Sequence, residues 1–352
     1  MKKMLCMVLV LVLALSMVAC SGGQKASNES GDTKSEAEQS DNKTDEKPEP
    51  AKKVTIKVGH VLAKDHPYQL GLEKFAELAK QYSNDTIEVK VFPSSQLGNE
   101  RDMLEGLKMG TLDMALTGTG VTQNYQKKLS VFSFPYIFRD AEHAYKVLDG
   151  EIGKELFGLL EENGIKYLAA YENGFRQVTN NKREINKPED LKGLKIRTPE
   201  AEIYLDTLKA MGADSFPMAW GEVITALKQD VMDGQENALI HIWSAKTYEV
   251  QKYINLTSHI YDPAPLMISK KLWDKLPKEQ QDAIQKAAEE SRDFQRKTFQ
   301  EQSEDVKQKL KDNGNIVVEP DLTPFKEAVK PVWEKFEPIV GKDLIDKVVN
   351  TK

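Results

Sequence analysis

Cysteine is nearly absent: Cys6 and Cys20 are the only two in 352 residues. No disulfide framework or cysteine-rich metal centre can be built from them. Long apolar runs are missing too. The unbroken stretch Met7 to Leu15 is about half the ~20 residues that a membrane-spanning helix needs. Positive charge is not clustered, and the chain carries a formal net charge of −6, which argues against nucleic acid as a partner. His60 and His66 stand outside any H-x-x-H or H-E-x-x-H spacing, and "VMDGQEN" lacks the ligand pattern of a calcium loop. "TGTGVT", Thr117 to Thr122, has no third glycine and no acidic ribose partner, so it is not a dinucleotide fingerprint. No G-x-S-x-G elbow occurs. These gaps weaken every enzyme reading, and neither a metal nor a cofactor is expected.

What is present begins at the first residues. Lys2 and Lys3 precede the apolar stretch, and Ser-Met-Val-Ala-Cys follows it, the pattern of a secretory signal. The small Ala19 before Cys20 points to lipoprotein processing, with Cys20 as the acylated first residue, although Met17 stands where leucine is usual. Loss of Cys6 with the signal would then leave no free thiol. Ser21 to Ala51 contains no apolar residue larger than alanine except Pro48 and Pro50; such a stretch cannot offset its ordering entropy and reads as a flexible tether. The expected location is the extracytoplasmic face of the cell membrane, reached by a lipid anchor.

From Lys53 onward strands and helices alternate. "VTIKVGH", "IEVKVF", "LDMALT" and "IKYLAAY" read as strands, and helices are expected at 66–82, 99–110 and across 140–163. Asp65 is expected to cap the first helix, Asn99 and Gly110 to cap the second. After Tyr171 a second set follows: "FRQVTN", "LKIRT" and "DSFPMA" as strand-like segments, with helices at 200–211, 220–229 and 236–250, and "PLMISKKLW" as another strand entering a helix. The fold class is α/β with a mainly parallel sheet, and too many strands accumulate for one sheet. Pro277 to Asn313 reads as one polar helix of roughly 50 Å, longer than one lobe needs. "NIVVEP" and two helices bearing Trp333 and Phe336 finish the chain.

Two arginines occupy places suited to an anion. Arg176 opens the first strand after the apparent lobe boundary, and Arg197 closes the strand of "LKGLKIRTPE". Thr198, Pro199 and Glu200 look like the cap, first position and acidic first turn of a helix whose free N–H groups would face the same crevice. A guanidinium offers a carboxylate two parallel hydrogen bonds, a geometry lysine lacks. Two surface ion pairs explain the same arginines equally well at this point.

Longer motifs separate those readings. "PSSQLGNERDMLEGLKMGTLDMAL", "YENGFRQVTNNKREINKPEDLKGLKIRTPE" and "MGADSFPMAWGEVITALKQDVMDGQEN" resemble the solute-binding proteins of tripartite ATP-independent periplasmic (TRAP) transporters, from about Thr55 to the C-terminal helices. The resemblance implies a two-lobed periplasmic-binding-protein fold with a hinge, a ligand cleft between the lobes and a long helix spanning both. By motif position, Arg197 is similar to the arginine that salt-bridges a substrate carboxylate, Arg176 to a second carboxylate contact, and Asn237 to a hydrogen-bonding residue. Trp220 stands where an aromatic wall is common. His60, Glu100, Thr119 and Asn173 are further candidate contacts to hydroxyls or a distal carboxylate; helix capping for Glu100 and turn formation for Asn173 are the competing roles. Ala238 replaces a usual proline and Asp230 a common glycine, which bears on loop geometry. "GHVLAKDHP" resembles the branch binding C4-dicarboxylates and sugar acids. "TGTG" stands where sialic-acid receptors carry an acidic side chain, which argues against sialic acid.

The implied protein is a monomeric receptor that passes a small organic acid to the small and large membrane subunits of an ion-gradient-driven transporter. The implied organisation is 1–20 signal, 21–52 tether, 53–173 with 263–302 as one lobe, and 174–262 with 303–352 as the other. A ligand-sensing lipoprotein and a secreted α/β enzyme are the alternatives.

Overall fold

In Val54–Gly59, buried Ile56 and Val58 alternate with exposed Thr55 and Lys57, so one face of the strand turns inward. The computed structural model describes residues 52–352; the signal, Cys20 and the tether up to residue 51 lie outside the described residues. Its strands are β1 (Val54–Gly59), β2 (Ile87–Phe92), β3 (Met114–Leu116), β4 (Ile165–Phe175), β5 (Gln177–Asn180), β6 (Lys195–Thr198), β7 (Asp214–Pro217), β8 (Gly234–Asn237), β9 (Tyr253–Asn255), β10 (Tyr261–Ser269) and β11 (Ile316–Val318). They form a five-stranded sheet in the order β2-β1-β3-β10-β4 and a six-stranded sheet in the order β11-β9-β5-β8-β6-β7.

The sheets are mixed rather than mainly parallel. β1 pairs parallel with β2 and β3, linked by the helices Pro67–Tyr82 and Glu100–Met109, but β10 runs antiparallel to both β3 and β4. The cause is the double crossing between sheets. The chain leaves the first sheet at Phe175, enters the second at Gln177, and returns from β9 to β10 as a reversed strand. Arg176 sits at the first crossing point.

Lys278–Asp312 is a single helix of 35 residues, roughly 50 Å at 1.5 Å per residue. Its first half binds the first sheet: Gln285 Nε2 donates to the Leu168 carbonyl (3.0 Å), and the Gln295 amide bonds both the N–H and the carbonyl of Glu172. Its second half buries Phe299, Val306 and Leu310 with Ile240, Ile242 and Ile254 beside the second sheet. The expected span of both sheets is observed.

Local expectations hold where the cap chemistry is strong. Asn99 and Asp102 form a reciprocal capping box, and Gly110 closes that helix in the left-handed region (φ 74°). Others need correction. His66, not Asp65, caps the helix Pro67–Tyr82, its Nδ1 accepting from the Tyr68 N–H (3.0 Å). No helix starts at Thr198, which ends β6; the helix Glu202–Ala210 follows a short turn, with Ala201 at its cap. The expected helix at 236–250 is the end of β8, the helix Leu239–Ser244 and a 3₁₀ turn, broken by Lys246 at φ 55°. Three C-terminal helices form, not two, because Gly341 (φ 90°) separates Lys330–Val340 from Lys342–Asn350 after Thr323–Ala328. Trp333 donates to the Pro135 carbonyl (3.0 Å) and Lys335 pairs with Glu202 and Asp206 (2.7 and 2.5 Å), so these helices bind segments associated with both sheets.

Candidate functional site

β6 carries alternating Ile196 and Arg197 into the interior, and parallel β7 delivers Met218 just beyond its end. Arg197 is 3% exposed. Its Nε and Nη2 both donate to the Met218 carbonyl (2.9 and 2.6 Å), and its guanidinium carbon lies 5.6 Å from the centre of the Trp220 ring. Among the described residues no carboxylate pairs with Arg197 and Nη1 has no hydrogen-bond partner. Burial pushes its pKa down to about 10, Arg176 adds to that shift, and Glu236 opposes it. An ionised guanidinium held this way is costly unless an anion meets it.

Arg176 is buried in the opposite electrostatic state. Its Nε and Nη2 bond the two Glu236 oxygens (2.5 and 2.8 Å), Nη2 also donates to the Glu236 carbonyl, and Nη1 reaches Asp262 Oδ2 at 3.3 Å. Burial disfavours its charge, but Glu236 and Asp262 outweigh that and raise its pKa above the ordinary arginine value. Glu236 also meets His259 Nε2 (3.2 Å). Arg176 therefore reaches the cleft largely neutralised, whereas Arg197 does not.

Arg197, Arg176, Asn237, Trp220, Glu100 and Asn173 line one cleft enclosing about 390 Å³ not filled by protein atoms, part of it open to solvent. Asn237 ends β8; its Oδ1 accepts from the Ala238 N–H (3.0 Å), which leaves its amide nitrogen as the remaining donor. Trp220 opens the helix Trp220–Lys228. Glu100 opens the helix Glu100–Met109, and its Oε1 accepts from the Gly118 N–H at 2.7 Å. Burial, with a smaller contribution from Asp262, raises its carboxyl to about pH 6 against that bond and the two arginines. Asn173 accepts from the Tyr68 hydroxyl (2.8 Å) and the His241 Nε2, and donates to Asp262 Oδ2 (2.5 Å).

Two candidates are placed elsewhere. His60 is fully buried, bonded to Gln69 Oε1 (2.9 Å) and accepting from the Leu62 N–H (3.3 Å), and burial lowers its pKa to about 4. Thr119 spends its hydroxyl on the Pro263 carbonyl (2.7 Å) and its N–H on Asp262 Oδ1 (3.1 Å), holding the start of β10 rather than facing the cleft. The Thr198 hydroxyl, expected as a cap, is buried with no hydrogen-bond partner among the described residues. No cluster of three or more metal-ligating side chains occurs among the described residues.

Asp262, Tyr68 and His241 also line the cleft and were not legible as site residues. Asp262 left one signal, an acidic residue in the otherwise apolar run "HIYDPAPLMIS". His241 lies in "ALIHIW", where a buried core histidine reads the same way. No described helix is long and apolar enough to cross a membrane.

Comparison with known proteins gives a consistent set. Residues 58–338 match the family model for bacterial extracellular solute-binding protein, family 7. The 2,3-diketo-L-gulonate-binding periplasmic protein of Escherichia coli (strain K12) is 34% identical over 299 residues, covering 84% of this chain and 91% of that one. The C4-dicarboxylate-binding periplasmic protein of Rhodobacter capsulatus is 34% identical over 307 residues, covering 85% and 91%. A TRAP periplasmic solute-binding protein of Polaromonas sp. JS666, solved bound to D-erythronate, superposes with a TM-score of 0.84 at 37% identity, covering 85% and 99%.

Proposed function

The chain belongs to the bacterial extracellular solute-binding proteins of family 7, and from that membership we propose that it is the receptor of a TRAP transporter, taking a small organic acid by its carboxylate at Arg197. The observation that carries the reading is the Arg197 guanidinium itself: buried, fixed by one carbonyl, and without a carboxylate partner among the described residues. Its Nη1, the second Nη2 hydrogen and the Asn237 amide nitrogen are the donors left for an anion on the second-sheet side, and the Trp220 ring excludes water beside them. Relatives bind acids of this kind: a diketo-gulonate, a C4-dicarboxylate and D-erythronate.

Arg176 acts in this reading mainly as a fixed cation at the crossing between sheets, orienting Glu236 and Asp262 and offering at most one N–H to the ligand. In this reading residues 53–173 with 263–302 and 174–262 with 303–352 are the two lobes, with β4 through Phe175 and β10 from Tyr261, hence Asp262, kept with the first; they close on the ligand about that crossing, and the closed form docks on the membrane subunits. The protein works as a monomer, without turnover of its ligand, and Cys20 holds it to the extracytoplasmic face of the membrane through lipid.

A thermal-shift screen over C4-dicarboxylates, hexuronates and aldonates tests this. A true ligand at a hundred times its Kd adds about 2.7 kcal/mol to stability. The Arg197→Lys variant should lose most of that shift. A panel in which no acid moves the melting temperature refutes the proposal.

A further inference from the structure

The two walls of the cleft differ in charge. The second-sheet wall brings Arg197 and Asn237; the first-sheet wall brings Glu100 and Asp262. Asp262 is held by the Asn173 amide, the Thr119 N–H and Arg176. Glu100 has one oxygen on the Gly118 N–H, and its Oε2 has no hydrogen-bond partner among the described residues. Since Arg176 is already matched by Glu236, the lining offers a ligand one unpaired cation and two carboxylates.

Gly118 keeps the corner between those carboxylates open. A Cβ there would lie 3.0 Å from Asp262 Oδ2 and 3.6 Å from Glu100 Oε1. Its φ of −68° suits any residue, so space rather than backbone conformation makes glycine useful here. A ligand group reaching this corner meets acceptors. Hydroxyls donate to carboxylates in charge-assisted bonds, whereas a second carboxylate meets like charge and must take up a proton.

We infer that this cleft selects a polyhydroxy monocarboxylate, an aldonate or hexuronate, over a C4-dicarboxylate, with Glu100 and Asp262 accepting hydroxyl hydrogens. The inference rests on the proposed carboxylate site at Arg197 and adds what lies at the other end of the ligand.

The test is calorimetric titration of the purified full-length protein at pH 8 with D-gluconate, D-galacturonate, D-erythronate, succinate and L-malate. At least one of the three hydroxy acids should bind tenfold or more tightly than either dicarboxylate. Glu100→Gln keeps an acceptor for the Gly118 N–H and removes the charge, so it should narrow that ratio at least threefold. Lowering the pH from 8 to 5.5 should strengthen any dicarboxylate binding and not that of the hydroxy acids. Succinate or L-malate binding as tightly as the best hydroxy acid at pH 8 overturns the selectivity while leaving the carboxylate site standing. Binding by neither class overturns the organic-acid reading and the selectivity with it.

Discussion

Replacing Arg197 by methionine should raise the stability of the ligand-free protein and abolish ligand binding, two effects of opposite sign from one side chain. Burial lowers the Arg197 pKa from 12.5 to about 10, which corresponds to about 3 kcal/mol of penalty on the charged form. Because the folded-state value lies below the unfolded one, this penalty is fully in force below about pH 10 and is relieved only above it. Methionine has a similar length and no charge, so the penalty disappears. Against that, the Met218 carbonyl loses both of its Arg197 donors, which costs about 1–2 kcal/mol. The net is a gain of about 1–2 kcal/mol, or roughly 2–5 °C in melting temperature.

Binding should move the other way. Hydrogen bonds to charged groups contribute about 1.5–3 kcal/mol each, so losing a carboxylate–guanidinium pair weakens binding by about a hundredfold or more. Arg197→Lys retains the charge but not the fixed fork, and should cost about 2 kcal/mol, near thirtyfold. Differential scanning calorimetry without ligand and titration calorimetry with it read both effects. A methionine variant that is less stable than the parent and binds as tightly refutes the reasoning, since Arg197 would then be an ordinary structural cation.

Three further outcomes are expected. Gly174→Ala should lower stability by about 2–4 kcal/mol, because φ there is +92° and a Cβ would stand 2.7 Å from the Phe299 ring at the sheet crossing; chemical denaturation checks it, and an unchanged midpoint contradicts it. Glu172 is buried and its carboxyl is raised to about pH 7 despite donors from Tyr145 and Gln300. A raised folded-state carboxyl contributes stability at low pH that is lost as pH rises through 7, so Glu172→Gln should gain relative to the parent, by up to about 3 kcal/mol, between pH 5 and pH 8; a pH-independent difference contradicts it. His60, His66 and His241 have pKa values lowered by burial, to about 4 for His60 and well below the ordinary value for the other two. Their imidazole NMR signals should therefore stay flat from pH 8 to 5.5, and their neutral forms contribute stability present above pH 6.5 and lost as pH falls; a midpoint near 6.5 at any of them contradicts the burial.

Legibility followed the range of the interactions. The capping box at Asn99, the left-handed Gly110 and the long helix Lys278–Asp312 are encoded within a few residues or by a sustained pattern. The false helix start at Thr198 came from a local T-P-E pattern that tertiary structure overrode: β6 needs Thr198 to pair with Pro217, and Pro199 turns into the cleft. Asp65 lost the cap to His66 because an imidazole nitrogen serves as acceptor where a carboxylate was expected. At the site, the strand-end place of Arg197 leaves a surface ion pair equally open and only the longer motifs favour an anion contact; that it lacks a carboxylate partner among the described residues is visible in the structure alone. Asp262, Tyr68 and His241 come from three distant segments, and only the double crossing between the sheets brings them together with Asn173. The polar atoms of His60 and Thr119 are taken up by Gln69 and the Pro263 carbonyl, neighbours that the sequence does not place beside them.

The most direct test of the account is a crystal structure of the protein with the hydroxy acid that binds it most tightly. The ligand carboxylate should accept hydrogen bonds from Arg197 Nη1 and the Asn237 amide, and its hydroxyls should donate to Glu100 and Asp262. A carboxylate bound away from Arg197, with that guanidinium still bonded to Met218 alone, would contradict it.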